Sequence, residues 1–162
     1  MNFSPKIILC AAGILGGLLC MAVIGELQPT RRLDSAFKGM LRQVEKRNWE
    51  NVKERIAPDY HDRWGFTRDS LTTNMREGFR QFFTLGIKTK NGEVSVQGDR
   101  GRVKAGIALS GRGTGVAEYI GECVNSLQEP FTFVFRKQSW KPWDWKLESV
   151  EQPELPLDSS VY

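Results

Sequence analysis

Large apolar residues alternate with polar ones toward the end of the chain. Phe131, Phe133 and Phe135 take turns with Thr132, Val134 and Arg136. After a loop holding Pro142, Trp143, Trp145 and Leu147 take turns with Asp144, Lys146 and Glu148. A period of two puts each set on one face of a strand, so residues 129–150 predict an antiparallel hairpin with one apolar face. Full burial of each such side chain is worth roughly 1.5–3 kcal/mol, and the rest of the chain must supply the cover. Trp140 falls outside the alternation, in the loop, which makes it a candidate for a partner contact.

The cover is helical. Leu33, Ala36, Phe37, Met40, Leu41 and Val44 form an amphipathic stripe after Pro29. Asn48 breaks and re-caps the chain, and Trp49, Val52 and Ile56 predict a second, short helix that Pro58 stops. A third helix is expected from near Thr67 or Asp69, carrying Leu71, Met75, Phe79, Phe82 and Phe83 on one side.

From Leu85 onward the period changes to two. Val94 and Val96 lie on one side of a strand, a turn comes at residues 98–101, and Val103, Ala105, Ile107 and Leu109 lie on one side of the next. Asn91-Gly92 is either a tight turn that splits residues 85–96 into a hairpin or a bulge that bends one long strand. Residues 116–124 also alternate, with Val116, Glu118, Ile120, Glu122 and Val124 on one side and Ala117, Tyr119, Gly121 and Cys123 on the other. They are expected to form a further strand. The glycine-rich loop before it would then have no helix N-terminus with which to hold a phosphate.

Eighteen residues from Ile7 to Ile24 carry no charge, with Lys6 before them and Glu26 after. At 1.5 Å per residue this is about the minimum for a bilayer core of ~30 Å. An uncleaved signal anchor, a cleaved secretory signal and a lipoprotein signal with Cys20 as lipid acceptor all compete. The length favours the anchor, and Leu19 is a poor residue ahead of a lipid-bearing cysteine. Basic residues flank the run on both sides, and a short tail ahead of one span is commonly a signal anchor that exports the chain downstream of it. The expected organisation is a transmembrane signal anchor over residues 1–28, one domain over 29–151 and a flexible, proline-containing tail over 152–162. The domain is expected at the cell membrane, on its extracytoplasmic side.

Composition narrows the chemistry. The 162 residues, less the leading segment, leave about 130 for a single core that needs no disulfide or metal support. The net charge of +4 is modest, and basic and acidic residues interleave, so the single-signed stripe of a nucleic-acid binder is missing. Two of the three cysteines, Cys10 and Cys20, lie in the apolar run, and Cys123 stands alone in the domain, so no disulfide can form within it. With one histidine, His61, and no paired cysteines, neither a metal nor a cofactor is expected.

The densest mix of polar and aromatic side chains is at residues 58–66. There His61, flanked by Asp59 and Asp62, has the chemistry of a general base, with Tyr60 as a proton donor. Adjacent loop residues need not converge, and the same stretch also reads as a loop whose Tyr60, Trp64 and Phe66 plug the core while Asp59, His61 and Arg63 face water.

In element order the chain resembles the nuclear transport factor 2-like superfamily, the cystatin-like α+β cone. The resemblance is carried by residues 45–52 (EKRNWENV) with 56–60 (IAPDY), by the turn GDRGRV at 98–103, and by FVFRK at 133–137 with WDWKL at 143–147. It implies three helices on a curved antiparallel sheet, with a pocket at the open end of the cone. In enzymes of this fold that act as isomerases, dehydratases or cyclases, the positions most like the pocket residues would be Asp59, Tyr60 and His61 as catalytic candidates. Trp64, Tyr119 and Trp145 would be ligand-pocket candidates. The match is to location and not to a catalytic signature, and fold alone does not settle function. The membrane-anchored cone also looks like the bitopic scaffold subunits of type IV secretion systems. The expected function is therefore a membrane-tethered binding or scaffold domain without catalytic activity. Such a domain would engage a protein partner or a second copy through its sheet face and Trp140. A small-molecule-binding protein or isomerase/dehydratase-type enzyme is the alternative.

Overall fold

A computed structural model describes residues 29–141 and 143–155; the apolar run of residues 7–24 lies outside them. The elements are α1 (Pro29–Glu45), α2 (Trp49–Glu54), α3 (Arg68–Arg80), β1 (Phe82–Gln97), β2 (Arg100–Gly113), α4 (Gly115–Ser126), β3 (Phe131–Lys137) and β4 (Trp145–Glu151). The four strands make one antiparallel sheet in the order β1-β2-β3-β4. This is the expected α+β arrangement with one helix more than predicted.

The stripe on α1 buries Leu33, Phe37, Met40 and Val44. Phe37 lies with its ring centroid 4.8 Å from that of Phe133 and 6.4 Å from that of Phe135, so the helix packs on the phenylalanine face of β3. Asn48 caps α2 by accepting from the Asn51 amide. Thr67 and Ser70 cap α3 reciprocally.

Helix α3 ends at Arg80, two residues before the expected Phe82 and Phe83, and both belong to β1. Phe82 is buried with Leu109 and Ala117 in a second, smaller core, whereas Phe83 is 73% exposed. At Asn91 the backbone turns left-handed (φ 48) and the register with β2 shifts between Lys90 and Glu93. Of the two readings of Asn91-Gly92, the bulge in one long strand is the one found.

The expected strand at 116–124 is helix α4. Its sequence satisfies both periods. Ala117, Ile120 and Val124 share one helical side and pack on Phe82 and Leu109. What settles the matter is that β3 pairs with β2 only from Arg100 to Ala105, leaving the far half of β2 without a third strand. Helix α4 lies against that half, and the glycine loop therefore does lead into a helix. Glu118 puts a carboxylate in its first turn. Strand β4 begins at Trp145, so Trp143 is in the loop and 68% exposed, not on the apolar face.

The two ends of the domain are built differently. A methyl group on Gly101, next to the β1–β2 turn, would overlap the Leu33 side chain, so the start of α1 abuts that turn. At its other end Glu45 accepts from the Ile87 amide (2.7 Å) and Arg47 donates to the Phe82 carbonyl. The start of α1, the β1–β2 turn and the β3–β4 loop thus share one end of the domain, and α4 sits toward the other. Residues 152–155, assigned by composition to the tail, are fastened: Gln152 is fully buried and donates to the Glu129 carbonyl. No helix among the described residues is long and apolar enough to cross a membrane.

Candidate functional site

Residues 55–61 run along the edge of β4. The Leu147 amide donates to the Arg55 carbonyl, and the amides of Ala57 and His61 donate to the carbonyls of Leu147 and Glu148. That edge pairing delivers the loop of Asp59, Tyr60 and His61 to the rim of the sheet.

The loop is organised by Asp62. Its buried carboxylate accepts from the Tyr60 hydroxyl (2.8 Å) on one oxygen and from the amides of Trp64 and Phe66 (3.0 Å each) on the other. Burial and the Asp62 carboxylate both push the Tyr60 phenol far above its ordinary range. Trp64 is buried, its indole donates to the Leu155 carbonyl (3.1 Å), and the Arg63 guanidinium lies over its ring.

Asp59 turns the other way. Its carboxylate receives the Arg136 guanidinium at 2.5 and 2.7 Å, and Arg136 also reaches Glu148, which pairs with Arg100. The hydrogen bond from Arg136 holds the Asp59 carboxyl below its ordinary value. His61 is exposed and borders an open cleft of about 560 Å³ with Asp62, Arg63, Lys104, Glu129 and Ser149. Asp59 does not line it. The three catalytic candidates are therefore neighbours in sequence that part in space, one committed to an ion pair, one buried on Asp62 and one at the cleft.

The pocket candidates also separate. Trp145 is buried among Leu33, Phe37, Phe133, Phe135 and Leu147 between α1 and the sheet, and its indole N–H is unpartnered among the described residues. Tyr119 is 68% exposed on α4, and its phenol is raised by the Cys123 thiol one turn on. A second cleft of about 220 Å³ lies between α4 and the end of β2, bordered by Phe82, Leu109, Glu118, Glu122 and Asn125. Among the described residues no three His, Cys, Asp or Glu side chains gather as a metal site would require. Sequence reasoning missed Arg136 as the partner of Asp59; its one signal was a lone arginine on the polar side of an aromatic strand.

No family model and no curated protein matches the chain. Its fold is similar to that of several solved structures. The Bdellovibrio bacteriovorus protein Bd1075 superposes with a TM-score of 0.58 at 11% identity over 75% of this chain, which spans only 38% of that protein. A Nostoc punctiforme protein of unknown function with a cystatin-like fold gives 0.53 at 15% identity, covering 78% of this chain and 92% of its own. A candidate dehydratase of the nuclear transport factor 2-like family from Streptomyces avermitilis gives 0.56 at 16% identity, covering 75% and 93%. The fold is that of the nuclear transport factor 2-like, cystatin-like proteins; at such identities the likeness extends to the fold alone.

Proposed function

We propose that the chain is a membrane-tethered binding domain that engages a protein partner outside the cytoplasm and carries out no chemistry. The observation that supports this reading most is the division of its aromatic side chains. Phe37, Phe133, Phe135 and Trp145 fill the space between α1 and the sheet, each 8% exposed or less, where a hollow cone would hold a substrate. Meanwhile Phe83, Val116 and Tyr119, toward the α4 end, are 73%, 54% and 68% exposed. Apolar side chains left in water together toward one end suit a contact surface. Acidic Glu118 and Glu122 border the adjoining cleft, so the partner that suits this end offers apolar and basic side chains. The outer sheet face, with exposed Arg102 and Lys104, suits a second copy less well.

A photocrosslinking amino acid at Tyr119, in cells, tests the reading. One reproducible crosslinked protein, lost when Val116→Asp is added, is the expected result. The absence of any adduct at Tyr119 and Phe83 alike would overturn it.

The enzyme reading draws on the cleft beside His61 and on the Streptomyces candidate dehydratase. A small molecule whose stabilisation of the fold disappears in His61→Ala, with the Tyr119 variant unaffected, would establish it in place of the first.

A further inference from the structure

The end of the domain where α1 begins carries two exposed tryptophans that the fold does not use. Trp140 is 85% and Trp143 68% exposed. They sit on a braced loop: the Gln138 amide donates to the Asp144 carbonyl (2.9 Å), the Asp144 amide to the Lys141 carbonyl and the Lys137 amide to the Asp99 carbonyl (2.7 Å). Two indoles left in water side by side on this loop cost hydrophobic free energy unless something receives them.

Their surroundings identify the recipient. Lys137 and Lys141 flank them, and neither is ion-paired among the described residues. Arg31, in the first turn of α1, is exposed at the same end. Tryptophan with lysine or arginine is the composition that sits at a bilayer interface, the indole among the headgroups and the cation on anionic lipid. The chain that leads into Pro29 at this end contains the uncharged run from Ile7 to Ile24, only four residues upstream.

We propose that the β3–β4 loop is a second, interfacial membrane contact. Trp140 and Trp143 enter the headgroup layer of the bilayer that residues 7–24 enter, and Lys137 and Lys141 face anionic phospholipid. This rests on the tethering reading above and adds an orientation to it. The domain lies with its α1 end on the membrane, and the α4 end, with Phe83 and Tyr119, points away toward its partner.

The full chain, reconstituted in vesicles of phosphatidylcholine and phosphatidylglycerol, tests both ideas separately. Flotation reports the tether. Quenching of tryptophan emission by brominated acyl chains reports the loop, because all five tryptophans lie outside the apolar run and Trp49, Trp64 and Trp145 belong to the folded domain. Quenching about threefold weaker in W140F/W143F than in the wild type, and reduced when phosphatidylglycerol is omitted, is the expected result. A chain that floats but is quenched equally with and without the two tryptophans overturns the inference and leaves the tether standing. A protein-bound loop would give that outcome. A chain that does not float overturns the tether and the inference with it.

Discussion

The carboxamide of Asn125 completes the hydrogen bonding of Leu109. Its oxygen accepts from the Leu109 amide at 2.8 Å and its nitrogen donates to the Leu109 carbonyl at 2.9 Å. These are the two bonds a neighbouring strand would supply, and β3 does not extend this far along β2. One side chain of α4 thus stands in for the missing strand and locks the helix against the sheet. Asn125→Ala removes both partners and is expected to cost about 1–2 kcal/mol in urea unfolding. Amide exchange should quicken first at Leu109, while the amides of Val103 and Ala105 keep their protection.

Asp62 is the second such fastener, and its two oxygens make unlike demands. One serves two backbone amides and the other receives the Tyr60 hydroxyl. Asparagine can keep both amides on its oxygen, but its nitrogen can only donate to the Tyr60 oxygen and leaves the Tyr60 O–H without an acceptor. Asp62→Asn, which orphans one donor, is therefore expected to cost about 1 kcal/mol, whereas Asp62→Ala, which orphans all three, costs about 3 kcal/mol. Chemical denaturation of the two variants checks this, and equal losses would show that the charge, not the bonding pattern, holds the loop.

The Asp59–Arg136 pair sets an acid dependence of known sign. The guanidinium lowers the Asp59 pKa from its ordinary 3.8, so the folded state releases that proton more readily than the unfolded one. The stabilisation is complete above the unfolded value and is lost as the pH falls through the lower folded one. Because Asp59 is exposed, the effect is small and weakened by salt. Carboxyl NMR titration should place the Asp59 midpoint below 3.8 in the wild type and return it toward that value in Arg136→Met.

How far the sequence reveals this molecule depends on how local each signal is. The stripe of Leu33, Phe37, Met40 and Val44 admits one period and one element. Residues 116–124 admit two, since Val116, Glu118 and Ile120 alternate while Ala117, Ile120 and Val124 recur at helical spacing. Only the length of β3 decides between them, and length of pairing is not written in residues 115–126. Trp143 continues the alternation of Trp145 and Leu147, yet the strand starts after it, because hairpin ends obey the turn and not the pattern. The site was less legible still. Asp59 and Arg136 stand 77 residues apart, and nothing short of the fold joins them. The exposed Trp140, by contrast, could be picked out from its place off the alternation alone.

Gly101 meets the start of α1 so closely that the helix and the turn form one contact. A Cβ there would overlap Leu33 Cδ2 and lie 3.4 Å from the Trp145 ring. Gly101→Ala is thus expected to cost about 1–3 kcal/mol by overpacking. Leu33→Ala, at a position with no exposure, should cost about 2–5 kcal/mol by leaving a cavity. The two faults are complementary, since the methyl added at Gly101 grows into the space vacated at Leu33. The double variant should therefore be more stable than the sum of the single losses by about 1 kcal/mol, measured by urea unfolding of all four proteins. Strict additivity would mean that the start of α1 moves away from the β1–β2 turn when crowded. The end of the domain where α1 begins would then be hinged and not rigid.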